Sequence, residues 1–156
     1  MRTDVITTGV LLVMVLALPI VVNAQATPSQ ATVGSNVRPA ITKADLEIVK
    51  RAQAILDSPS KWNRADNRVC PTNAKTFSLY CSLQMATIEV SGNAEHRGAA
   101  LQEARFVIDE ISADRNYEHR LMNYNNDPTT TFEDIQEVLR ITESLIVLRL
   151  KANGIK

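Results

Sequence analysis

Asn-x-Glu-His-Arg occurs twice in this chain, at Asn93–Arg97 and at Asn116–Arg120, and the two copies hold both of its histidines. A carboxylate, an imidazole and a guanidinium so close together could do general acid–base work on a phosphate or a glycoside. Each copy falls at or near an expected helix start, where the same residue types serve as caps and surface ion pairs of small energetic weight. The flanks of the copies do not match, so no duplicated unit is inferred. The second copy opens the stretch Asn116–Asp134, which carries two of the three tyrosines and the densest run of Asn, Asp and Thr. A polar hinge of this kind between two helices suits a site, and it equally suits a plain corner.

Metal chemistry has two possible starting points. Cys70, Cys81, His96 and His119 have the donor types of structural zinc, but they lack the short paired spacings of zinc fingers. Asn123, Asn125, Asp127, Thr129, Thr131 and Asp134 fall on the ligand positions of a calcium loop lying between two helices. The first position is Asn, the last is Asp, and Pro128 stands where the loop turns on Gly, so the carboxylate charge is too small for firm binding. Asx turns and a helix cap account for the same residues. No metal and no cofactor is expected. There is no Gly-x-Ser-x-Gly elbow, phosphate-cradling glycine loop or His-Glu-x-x-His. The catalytic candidates are therefore only His119 with Glu118 and Arg120.

The composition bounds the partners. The chain has 156 residues, is 45% hydrophobic and 22% charged, and carries 17 basic and 17 acidic residues. That length suits one domain. Zero formal charge argues against a dedicated nucleic-acid binder, whose affinity comes from neutralising phosphates.

The N-terminus reads as an address. Met1-Arg2 is a short basic start, Val10–Val22 is apolar apart from Pro19, and Val22-Asn23-Ala24 is a small-x-Ala cleavage signal. Residues 1–24 are thus expected to be a signal peptide, with Gln25 as the mature terminus and no membrane association after cleavage. Residues 25–40, small, polar and proline-punctuated, are expected to be a disordered tether. Export, to a periplasm or to the outside, favours pairing Cys70 with Cys81. Such a bridge is worth about 3 kcal/mol in the chain-entropy model. It requires the two Cα atoms to lie within roughly 7 Å, so the helix carrying Cys81 must start late, near Thr76–Ser78.

The periodicity predicts an all-α bundle of four main helices and one short helix over 41–156. Thr42 and Asp45 form a capping box, with Ile41 and Leu46 at the staple positions. Leu46, Val49, Ala52, Ile55 and Leu56 make an apolar stripe, Lys50, Arg51 and Gln53 face water, and Asp57-Ser58-Pro59 ends the helix. Residues 58–73 form an irregular connection longer than usual, either functional or pinned in place. Trp62 there either plugs the core edge or lines a ligand site with Asn63, Arg64 and Arg68. The second helix runs from Ala74 or Thr76 to Val90, stopped at Ser91-Gly92-Asn93. The third covers about 94–112 unless Gly98 delays its start, with Leu101, Ala104, Val107, Ile108 and Ile111 inside and Glu103, Arg105, Asp109 and Glu110 outside. A short helix over 117–124 breaks at Asn125-Asn126-Asp127-Pro128. The last helix starts at Thr130 with Glu133 closing its capping box, runs to about Ala152 with a wide apolar face that includes Leu145 and Leu148, and is expected at the centre.

With Trp62, Cys70, Cys81 and Asn125-Asn126-Asp127-Pro128-Thr129 in that order before a helix, residues 44–150 resemble short helical bacterial proteins grouped as a domain of unknown function. The resemblance implies the helical fold and transfers no catalytic residue. The reading favoured is an exported, non-enzymatic domain that binds a protein or small ligand through 58–73 and 116–131. Trp62, Arg64, His119, Asn125 and Asp127 are its candidate binding residues. A small hydrolase using His119, Glu118 and Arg120 is the alternative.

Overall fold

A computed structural model describes residues 38–155. The expected signal peptide, and the expected tether up to residue 37, lie outside the described residues. Five helices follow in order: α1 (Lys43–Ile55), α2 (Leu79–Ser91), α3 (Ala99–Ile111), α4 (Arg120–Asn126) and α5 (Phe132–Ala152). A single helical turn, Pro59–Lys61, interrupts the long connection between α1 and α2. No strand occurs among the described residues, only one isolated bridge between Trp62 and Phe77. The all-α bundle of four longer helices and one short one stands as the spacing predicted. Its core is aliphatic, with Val49, Leu56, Leu79, Leu83, Leu101, Ile108, Ile135, Leu139 and Ile146 fully buried. α5 packs on α1 and α3, whereas α3 meets all four of the other helices, so α3 holds the central place expected for α5.

The helix starts are built from side chains. The Thr42 N–H donates to Asp45 Oδ2 at 2.8 Å, the reciprocal half of the predicted capping box. Asp45 Oδ1 also accepts from the Ala100 N–H at 3.1 Å. One buried carboxylate therefore caps α1 and satisfies a free N–H in the first turn of α3, whose own cap, Gly98, has no side chain to offer. α3 starts after Gly98, the second of the two expected possibilities. α2 starts at Leu79, later than 74 or 76, because the Ser78 hydroxyl accepts from the Cys81 N–H at 3.1 Å. That late start meets the geometric condition for the bridge, and Cys70 and Cys81 are joined with Cα atoms 5.3 Å apart. α2 ends where predicted, on Gly92 at φ 78, a left-handed cap that suits glycine.

Several expectations are corrected. α5 is capped by Thr131 and Asp134, not Thr130 and Glu133: the Asp134 N–H donates to Thr131 Oγ1 and the Thr131 N–H to Asp134 Oδ2. The Thr130 N–H is spent on the Asp127 carbonyl, closing the preceding turn and moving the cap on by one residue. α4 runs from Arg120 to Asn126 rather than 117–124, since the Asn125 and Asn126 side chains find partners outside the helix and do not compete for its backbone. Glu103, expected outside, is fully buried, while Ile111 and Leu148, expected inside, are exposed. Gln53 is half-buried and donates to Glu143 Oε2 at 3.0 Å. Arg38 and Pro39, which composition assigned to the tether, are fastened to the bundle. Arg38 pairs with Glu103 and Glu110 and lies over the Phe106 ring, and the Pro39 carbonyl accepts from Arg149.

Candidate functional site

Asn125 is the hub of the polar region, and it is fully buried. Its Oδ1 accepts from Trp62 Nε1 at 2.8 Å and from the Leu79 N–H at 3.0 Å. Its Nδ2 donates to the Asn63 carbonyl at 3.0 Å and to Asn126 Oδ1 at 3.1 Å. All four hydrogen-bonding places of the amide are filled. One side chain thus ties α4 to the long connection and to the first residue of α2. Asn126 continues the clamp, accepting from the Asp66 N–H at 2.7 Å and donating to the Asp66 carbonyl at 2.8 Å. It reads the backbone of the loop as a neighbouring strand would.

Trp62 is half-buried against the core and packs on Phe132, ring centroids 6.2 Å apart. The Arg64 guanidinium lies 5.4 Å from the centre of the Trp62 ring and donates to the carbonyls of Asp127 and Pro128. Asp127 faces the other way, towards Arg115 and the Tyr117 hydroxyl, the latter at 2.9 Å. The Thr129 hydroxyl and backbone N–H, then Tyr117 and Arg115, hold its carboxyl far below the ordinary carboxylate range. Four of the five candidate binding residues, Trp62, Arg64, Asn125 and Asp127, are therefore brought together, each already engaged by its neighbours.

His119 stands apart from that cluster. It sits at the N-cap of α4 without a side-chain cap bond, and its backbone N–H donates to Asn123 Oδ1 at 2.7 Å. Its ring nitrogen is 4.0 Å from the highly exposed Glu118 carboxylate. Arg120 turns to Asp109 at 3.1 Å instead of joining them. The three residues considered for hydrolysis do not converge. The calcium-template oxygens are likewise directed to protein donors: Asn123 to His119, Asn125 to Trp62 and Leu79, Asp127 to Thr129, and Asp134 to Thr131.

Asp66, Tyr117 and Asn126 lie in the two stretches singled out without being named as candidates, and Arg115 lies outside both. Glu103 carried a warning in the sequence. It falls in register with Ala100, Ala104 and Val107 on the apolar stripe of α3, and a charge at such a position is buried if a partner can reach it. Arg149 and Arg38 are those partners.

These features define a class: a small all-helical domain whose one long loop is clamped by a bridge and by two asparagines. Over residues 40–145 the chain matches the model of a family of unknown function, DUF6197, and it belongs to that family. No curated protein and no solved structure matches the chain. None of the described helices is long and apolar enough to cross a membrane.

Proposed function

We propose that the protein is an exported, non-enzymatic binding module whose loop 63–70 is held in a fixed shape for contact with a partner protein. The observation that carries this is the contrast between a constrained backbone and the exposed side chains of Arg68 and Val69. Three successive turns are closed by Asn or Asp: Asn63 Oδ1 accepts from the Ala65 N–H, Asp66 Oδ1 from the Arg68 N–H, and Asn67 Oδ1 from the Val69 N–H. Asn126 grips the loop at Asp66, and the Cys81 bridge closes it at Cys70. Arg68 is held at φ 62, a left-handed conformation that costs energy in a residue with a side chain. Val69 is 65% exposed beside it. Rigidity of this kind lowers the entropy cost of association. The small-x-Ala signal at Val22-Asn23-Ala24 and the disulfide support export.

The test places a photo-cross-linking residue at position 69 and, as a control, at the exposed position Val90, in the producing cell. A discrete adduct from 69 alone is expected, carried by a chain whose intact mass begins at Gln25. No adduct from 69, or the same adducts from both positions, would overturn the reading. Turnover of phosphate, glycoside or ester substrates that disappears in His119→Ala would establish the hydrolase instead.

A further inference from the structure

Most arginines of the described chain answer to a carboxylate. Arg38, Arg51, Arg115, Arg120, Arg140 and Arg149 each form an ion pair, and Arg64 is spent on two carbonyls. Among the described residues the guanidinium groups of Arg68, Arg97 and Arg105 have no acidic partner, and all three act electrostatically on His96. The Tyr80 hydroxyl is 3.0 Å from His96 Nδ1, with the two rings edge to face at 5.5 Å. Arg105, on α3, donates to the His96 carbonyl at 3.1 Å and to Gln102 Oε1 at 3.2 Å. Arg97 follows His96 in the chain. Arg68 is brought in by the bridge, since Cys70 is joined to Cys81, the residue after Tyr80.

We propose that Arg68, Arg97 and Arg105, gathered around the Tyr80–His96 pair, bind a phosphoryl group carried by a small molecule or by a lipid headgroup. Guanidinium groups are well matched to phosphate oxygens, which accept charge-assisted hydrogen bonds in pairs. The site is built from the loop, the first turn of α2, the α2–α3 turn and α3. It shares only Arg68 with the loop surface proposed above and stands independently of it.

The electrostatics agree with the geometry. Burial, followed by Arg105, Arg68 and Arg97, lowers the pKa of His96. Burial, then Arg120 and the nearby Arg97, lowers that of Arg105 although it lies on a helix with acids of its own. Burial raises Tyr80, so its hydroxyl stays protonated beside His96 Nδ1. The acids near the cluster are otherwise placed. Asp109 pairs with Arg120, and Glu95 folds back against Gly98. Asp66 is buried, with one oxygen bound to the Arg68 N–H and the other without a partner. A bound phosphate would offset the arginines around His96, raise its pKa, and be held more tightly as the pH falls and the imidazole gains its proton.

The experiment follows the His96 ring resonance by NMR in the full chain, titrated with inorganic phosphate and with glycerol 3-phosphate against chloride at equal ionic strength. A parallel arm uses phosphatidylglycerol vesicles against phosphatidylcholine. Saturable binding of free phosphates, or of the anionic vesicles alone, is expected, and the two arms separate a soluble ligand from a headgroup. Arg105→Gln and the exposed Arg97→Gln should each weaken binding about tenfold, while Arg140→Gln, on α5, should not. A response matched by chloride with no preference for the anionic vesicles, or undiminished binding by Arg97→Gln, would overturn the proposal.

Discussion

Asn125 illustrates how much one buried amide can organise. Its oxygen serves an indole and a helix N–H, and its nitrogen serves a loop carbonyl and a second amide. Asn125→Asp keeps the shape and removes both donors, leaving two acceptors facing a carboxylate in a buried site. The expected loss is about 3 kcal/mol at neutral pH, from unsatisfied groups and an uncompensated charge. The sign of the pH dependence follows. A buried carboxyl with one oxygen facing two acceptors is expected to have a folded-state pKa raised above its unfolded value, so the penalty is smallest below the unfolded pKa and grows as pH rises through the folded one. Urea denaturation of parent and variant from acid to neutral pH should show the gap between them widening. A constant gap would mean that Asn125 acts through shape alone.

Among the elements, α5 depends on a cap that lies one residue beyond the expected one. Thr130 with Glu133 fits the preferred residue types, yet Thr131 with Asp134 makes the bonds. Thr131→Ala and Asp134→Ala should each cost about 1 kcal/mol. Glu133→Ala should stay within about 0.5 kcal/mol, as other exposed substitutions do. Thermal melts of the three variants would decide it, and a larger loss from Glu133→Ala would restore the expected cap. The helix α2 shows the same dependence on its start, because the bridge requires a late beginning that leaves Cys70 within reach, and α2 begins at Leu79. The cap at Asp45 is shared, because its other oxygen accepts from the Ala100 N–H.

At the scale of the whole molecule, the segment before α1, α3 and α5 are joined at Glu103. That carboxylate is fully buried and meets Arg149 and Arg38, which are partly exposed. Removing one partner of a buried pair leaves the other uncompensated. Glu103→Gln is expected to lose about 3 kcal/mol, and replacing Glu103 and Arg149 together by leucine to recover much of it. Denaturant unfolding of both variants checks this. A double variant no better than the single one would show that the pair is held by its hydrogen bonds and not by its charge balance.

The sequence by itself determined the helical class, the number of helices, most of their ends and the cysteine pair, because these depend on local spacing: a period near 3.6, caps within three residues, and one possible thiol partner. It also marked Trp62, Arg64, Asn125 and Asp127 as residues of interest, since polar and aromatic side chains in a long loop and a turn need a reason. Tertiary structure decided what they do. Their partners lie far away in the chain, and no local pattern could have told that Asn125 would be spent on Trp62 and Leu79, or that His119 would remain outside the cluster. Burial of Glu103 and the approach of Arg105 to the His96 carbonyl were decided the same way. Each depends on which face a helix turns to its neighbours, and that is fixed only when the whole core closes.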